Sequence, residues 1–217
     1  MSRSQYAEMA SIRMKMDAPI QISNLGPEAV MQAHTQCAAP GFHGGGECLS
    51  GGRATGGCGV KTNIVTAVEI HGQWASDVKL LPALVDATAQ NFKMTEVSAD
   101  KGYGSMKNAD VIAKTGATPF IAFAAHHTGS GSGTWAKMYH YFQFRKDEFL
   151  AHYHKRSNVE STFSMMKRKF GDGLRSKTDV AMVNETLCKI LAHNLVVLIH
   201  ETHELGIEPV FWSTNAA

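Results

Sequence analysis

The sequence predicts an α/β layer fold with a mixed sheet. Two observations carry this expectation. From residue 59 onward, short β-rich runs alternate with helical stretches that show one apolar side, the order that layers of sheet and helix require. The runs are punctuated by Gly, Ser and Asn where the chain has to turn. With 217 residues, of which 44% are hydrophobic, the chain is long enough and apolar enough for one large domain with its own core.

The elements follow in order. Ile12, Met14 and Met16 alternate with Arg13, Lys15 and Asp17, the period of a short strand. After it comes a stretch with no period of either kind, and 41–59 is mostly Gly, Ser, Ala and Cys. Such a composition buries too little apolar surface to offset its ordering entropy, so a flexible segment is expected. Residues 1–57 are therefore set apart as a poorly defined, partly disordered segment, 58–205 as the folded domain and 206–217 as a tail.

Val60 to Ile70 is β-rich, with Asn63 at a possible turn. Asp77 to Phe92 reads as a helix with Leu80, Leu81, Leu84, Val85 and Thr88 on one side; Asp77 suits its N-cap region and Pro82 its first turns. Thr95 to Ala99 is a short strand ending in Asp100. Ser105 or Asn108 caps a helix closed by Gly116. Pro119 to Ala124 is the next apolar strand, and a Gly/Ser loop over 129–133 leads into an aromatic-rich helix from Trp135 to Phe149. Ser157 to Phe170 is a helix broken by Gly171 and Gly173. Asn184 to Leu205 is a long amphipathic helix with Leu187, Ile190, Leu191, Leu195, Leu198 and Ile199 on its apolar side, and Cys188 reads as a small core residue within it.

Several chemistries are excluded or disfavoured. Lys61-Thr62 follows Val60 and not Gly, so no P-loop is present. No G-x-S-x-G elbow supports Ser-His-Asp hydrolysis. Cys37, Cys48 and Cys58 stand about ten residues apart beside His43, whereas zinc motifs bring ligands in close pairs. His126-His127, His152 and His154 form no H-E-x-x-H, and His193, His200 and His203 read as surface or packed residues. No run approaches the roughly 20 apolar residues that cross a bilayer. The N-terminus opens no apolar h-region, so a cytoplasmic, reducing location without membrane contact is expected.

The net charge is only +2, but its distribution is uneven. Lys155, Arg156, Lys167, Arg168, Lys169, Arg175 and Lys177 are opposed only by Glu160 and Asp172. A basic stripe on a near-neutral protein marks a local contact with a polyanion, although a charge run alone also fits a solvated helix face. Within it, Tyr153, Arg156, Glu160 and Lys167 project within an arc of about 60° on one helix. Val159, Phe163, Met166 and Phe170 fall on the adjoining arc and pack. An i,i+4 surface ion pair accounts for Arg156 and Glu160, but not for Tyr153 and Lys167 sharing that face.

These residues carry a resemblance. The run from Tyr153 through Arg156 and Glu160 to Lys167 has the spacing Y-x-x-R-x-x-x-E-x-x-x-x-x-x-K, and a second block reads Ser98-Ala99-Asp100-Lys101-Gly102-Tyr103. In both the chain resembles the DDE transposases of bacterial insertion sequences, from about Gly59 to about Ile199, roughly two-thirds of its length. The resemblance implies a ribonuclease-H-like fold and metal-dependent cleavage and strand transfer of insertion-sequence ends. It implies Asp100 and Glu160 as carboxylate ligands of two Mg2+ or Mn2+ ions, which together clamp the attacking and leaving oxygens. It further implies that Tyr153, Arg156, Lys167, Lys155 and Arg168 contact DNA, with Arg156 bidentate to phosphate. The partners it implies are double-stranded DNA, both element ends and target, and a second copy in a homodimer on DNA.

The family pattern needs a third carboxylate on the opening strand. Asp17 ends an alternating run, but Ala18-Pro19 follows where the family has a small hydroxyl residue and glycine. The glycine-rich stretch also stands in place of a basic strand containing Trp and His, and residues 1–57 read as a truncated or frame-shifted start. Two functions therefore stand side by side: a metal-dependent transposase, impaired in this copy, and a catalytically incomplete remnant that binds DNA.

Overall fold

A computed structural model of the chain describes residues 29–37, 53–71, 76–130 and 132–204. Five strands form one mixed sheet among these residues: β1 (Ala29–Cys37), β2 (Arg53–Gly59), β3 (Val65–His71), β4 (Met94–Ala99) and β5 (Thr118–Ile121), in the order β3-β2-β1-β4-β5. β1 pairs antiparallel with β2, and β2 with β3. β1 and β4 are parallel, as are β4 and β5. Parallel neighbours need a crossover. Helix α1 (Asp77–Ala89) lies between β3 and β4, and α2 (Met106–Lys114) lies between β4 and β5. Ala33 of β1 and Ile121 of β5 stand beside Ala99, so the three parallel strands run toward the end of the sheet where Asp100 emerges, and β1 continues four residues further in pairing with β2.

The remaining helices are α3 (Thr134–Phe144), α4 (Lys146–Tyr153), α5 (Ser157–Phe170) and α6 (Asp179–Glu204). Three apolar clusters join them to the sheet. Leu81, Leu84, Val85 and Ile112 of α1 and α2 pack on Val97 and Ala99 of β4. Val159, Phe163 and Met166 of α5 and Ile190 of α6 pack on Ala54, Cys58, Val65 and Val68. Phe149 and Tyr153 of α4 and Met138 of α3 pack on Phe120 of β5. Strand residues alternate between faces. Val97 and Ala99 face the α1–α2 layer, while Glu96 and Ser98 meet the other side, where α4 runs into α5.

Several sequence expectations meet a different structure. Residues 53–59 read as flexible, yet they form β2, and the sheet takes in residues ahead of position 58. Gly56 serves packing: a Cβ there would lie 3.3 Å from the Phe163 ring and 3.2 Å from the Ala67 carbonyl, so α5 sits close against bare backbone. β1 lacks the alternation that marks a strand, and its position in the sheet centre comes from pairing on both sides. The strand expected at Ile12–Met16 lies outside the described residues. The β-rich run from Val60 divides into a turn and β3, with Asn63 at φ 56. Ser105 caps α2, accepting from the Asn108 N–H at 3.1 Å, whereas Asn108 is buried and donates to the Val78 and Tyr103 carbonyls. Arg145, at φ −135 and ψ 57, splits the aromatic helix into α3 and α4. The N-cap of α1 is Ser76 and not Asp77.

Helix α6 buries only part of the apolar side expected: Ile190 is buried and Leu187 packs beside it, but the buried face is turned toward polar residues of the helix. Ile190, His193 and Asn194 are buried, while Leu191, Leu195 and Ile199 are exposed, and so is Cys188. By length and composition α6 is apolar enough to span a bilayer, unlike any run noted in the sequence. Its polar contacts nevertheless dock it on the sheet. The Asn194 side chain accepts from the Val65 N–H at 2.8 Å and donates to the Val65 carbonyl at 2.9 Å, and His193 Nε2 meets the Asn63 carbonyl at 3.0 Å. Burial keeps the His193 imidazole below its ordinary pKa, the carbonyl of Asn63 opposing. Asn194→Ala leaves both backbone groups of Val65 without these partners. It is expected to cost about 1–3 kcal/mol, seen as a lower urea midpoint at unchanged slope.

The loop from α5 to α6 is tied by Glu185, whose carboxylate accepts from the backbone N–H groups of Arg175 and Ser176 at 2.9–3.1 Å. The Ser176 N–H above all pulls this carboxyl down to about 2, against the effect of burial. The folded value lies below the ordinary 4.5, so the stabilisation is complete above that pH and is lost as pH falls toward 2. Glu185→Gln is expected to flatten the rise in thermal midpoint across that window, measured by circular dichroism.

Candidate active site

Asp100 is the first residue beyond β4 and precedes a 3-10 turn, Lys101–Tyr103. The Tyr103 N–H returns to the Asp100 carbonyl at 2.9 Å, and the Tyr103 ring is buried in the α1–α2 cluster. The aspartate is thereby fixed on both sides, by strand pairing before it and a buried aromatic after it.

Tyr153, Arg156, Glu160 and Lys167 were expected on one helix. Instead Tyr153 ends α4, Arg156 ends a 3-10 turn over His154–Arg156, and α5 begins at Ser157. The backbone stays right-handed through the joint, and Tyr153, Arg156 and Glu160 come together there with Asp100. Arg156 Nη1 lies 2.8 Å from Asp100 Oδ1 and 3.4 Å from Glu160 Oε1. Two contacts to one nitrogen cap the separation of the carboxylate oxygens at the sum of those distances, about 6.2 Å. The Arg156 guanidinium also lies over the Tyr153 ring, 5.0 Å from its centroid. The Tyr153 hydroxyl reaches Asp100 Oδ1 only at 3.5 Å. Burial raises the Tyr153 phenol above its ordinary pKa, Arg156 opposing and Asp100 reinforcing.

The other residues singled out in the sequence stand apart from this cluster. Lys155 is turned to Glu96, 3.1 Å from Oε2. Lys167 and Arg168 are exposed farther along α5. Asp17 lies outside the described residues. His152, set aside as a weak metal candidate, places Nδ1 2.9 Å from Glu96 Oε2 and stacks on Phe120 at 4.4 Å. Burial would raise the Glu96 carboxyl, but hydrogen bonds from His152 and Lys155 outweigh it and hold the group below its ordinary pKa.

Glu96 and Ser98 were missed by sequence inspection. The signal was present: polar Glu96, Ser98 and Asp100 alternate with apolar Val97 and Ala99. Among the described residues no group of three or more His, Cys, Asp or Glu side chains comes together. β1, the strand beside β4, contains neither Asp nor Glu.

The site is thus an acidic pair bridged by arginine, one carboxylate following a parallel strand of the mixed sheet and the other on a helix packed against it. Residues 31–195 match the family model of the transposase DDE domain, and the chain belongs to that family. The match begins well ahead of Gly59, where the resemblance was first traced, and behind Asp17. No curated protein matches the chain. As a transposase DDE domain the chain has a role in transposition with DNA as its partner, and its family generally uses divalent metal ions for nuclease and strand-transfer chemistry.

Packing and hydrogen bonding at Tyr153 can be separated. Tyr153→Phe loses the hydroxyl's long contact to Asp100 and its interaction with Arg156, both at a partly exposed site, so stability is expected to fall by no more than about 1 kcal/mol. Tyr153→Ala empties a ring from the α4–β5 cluster and is expected to cost about 3–5 kcal/mol in urea unfolding. Equal losses would show that the hydroxyl, and not the ring, carries the stabilisation.

Proposed function

We propose that this chain is a ribonuclease-H-like transposase domain of the Y-R-E-K branch, and that Asp100 and Glu160 hold a divalent cation for phosphodiester cleavage and joining at element ends. The observation that carries the proposal is the single Arg156 nitrogen shared by both carboxylates, since it draws together two oxygen ligands from a strand end and a late helix. The donor set suits one hard cation, with waters completing its shell. Among the described residues a second ion lacks the further bridging carboxylate it needs, since β1 supplies none. Bound there, Mg2+ or Mn2+ would supply an activated water. Asp100 would hold its ligand position rigidly through β4, and Arg156 would hand its contacts from carboxylate to DNA phosphate.

Arg156, Lys167 and Arg168 are the proposed phosphate contacts, and the DNA-bound form is proposed to be a homodimer. The second function, a DNA-binding remnant without efficient chemistry, is favoured specifically by the lack of any carboxylate on β1. Both predict DNA affinity. The Arg156→Ala and Lys167→Ala changes are expected to weaken binding and to lower the salt slope by about one unit per lost phosphate contact. A strand-transfer assay on terminal-repeat DNA with Mg2+ or Mn2+ separates the two. Weak joining is expected from this chain. Robust joining abolished by Asp17→Ala would show that Asp17 completes the site and would refute the impairment.

A further inference from the structure

We infer that Glu96 is a positioning residue for the acidic site, using Lys155 and His152 as its grips. This rests on the proposed role of Arg156 at that site and identifies what aims it. Three alternate residues of β4 and its end engage one short segment of chain. Glu96 takes the His152 ring at 2.9 Å and the Lys155 ammonium at 3.1 Å. The Ser98 hydroxyl donates to the His152 carbonyl at 3.0 Å. Asp100 takes the Arg156 guanidinium at 2.8 Å and the Tyr153 hydroxyl at 3.5 Å. One face of β4 therefore holds the chain from 152 to 156 at three successive steps.

The grip sets the helix type of the joint. The His154–Arg156 turn is 3-10, advancing 120° per residue where an α-helix advances 100°. Across three residues the two forms differ by about 60°, enough to swing Arg156 away from Asp100. Tyr153 and Arg156 lie between or just beyond the two Glu96 grips, so a joint free to relax would carry both. Glu96 is an acceptor only, so the His152 Nδ1 beside it carries the proton, and the stack of His152 on Phe120 fixes the ring plane. The Arg156 Nε is itself buried without a hydrogen-bond partner, so packing around the side chain, together with its ion pairs, holds it in place. It follows that Lys155 is a structural arm. Its charge is committed to Glu96 and is not offered to DNA.

The test uses the full 15N-labelled chain. The Arg156 Nε–H cross-peak, assigned by its loss in Arg156→Lys, is expected to be sharp and slow to exchange in wild type. It is expected to remain so in Glu96→Gln, whose carboxamide oxygen still accepts from both grips, and to broaden or vanish in Glu96→Ala. A protected peak in Glu96→Ala, in a sample that still unfolds cooperatively, overturns the inference. Lys155→Ala gives a second measurement independent of how Glu96→Ala folds. Its DNA-binding salt slope is expected to match wild type, and a slope lower by about one means that Lys155 contacts phosphate and overturns the inference. An unchanged slope in Arg156→Ala counts against the DNA role of Arg156 and leaves the cross-peak to decide the positioning role.

Discussion

The Arg156 guanidinium between Asp100 and Glu160 is the contact on which the site depends. Two carboxylates brought so close repel each other, and a cation between them removes that cost. All three side chains are partly exposed, so the pairs contribute little to folding energy. What the arginine contributes is geometry, because it links the end of β4 to the first turn of α5. Everything that fixes Arg156 therefore fixes the acidic pair: the ring of Tyr153 beneath it, the 3-10 joint before it, and the packing of α5 on β2 after it.

Much of this is legible in the sequence. Periodicity gives the α5 helix the boundaries it has, and its apolar arc of Val159, Phe163 and Met166 is the buried one. Periodicity suffices because the helix packs one side on a flat sheet. The acidic cluster is legible because Asp100 ends a strand and because Arg156 and Glu160 are one turn apart. The 3-10 joint is not, since no residue type requires it, and its ties to β4 come from residues far away in the sequence. Nor is β2, whose glycines lower strand propensity but let Phe163 approach. The long apolar stripe of α6 misleads for a related reason: polar His193 and Asn194 are buried because the β2–β3 turn and the start of β3 present backbone groups that need partners.

The chain belongs to the transposase DDE domain family, and among the described residues no three His, Cys, Asp or Glu side chains are grouped to hold a metal. The fold requires β1 to sit beside β4 at the edge where Asp100 emerges, and the backbone register meets that requirement. The chemistry requires more than backbone. A strand can pair correctly in the middle of a sheet while supplying none of the ligands that its position would allow, because ladder hydrogen bonds are indifferent to side-chain identity. β1 is such a strand: it pairs on both sides in the sheet and carries neither Asp nor Glu.

The carboxamide of Asn194 has a meaning for solubility as well as for docking. Outer strands of an open sheet expose backbone groups that can recruit a strand from another molecule. In β3 the N–H and carbonyl of Val65 are already occupied, because Asn194 presents an acceptor and a donor much as another strand would. At the opposite margin β5 is only four residues long and includes Pro119, which has no N–H to offer. The sheet thus meets a strand-imitating side chain at the start of one outer strand, and ends at the other margin in a strand too short and too proline-bound to offer a long pairing edge.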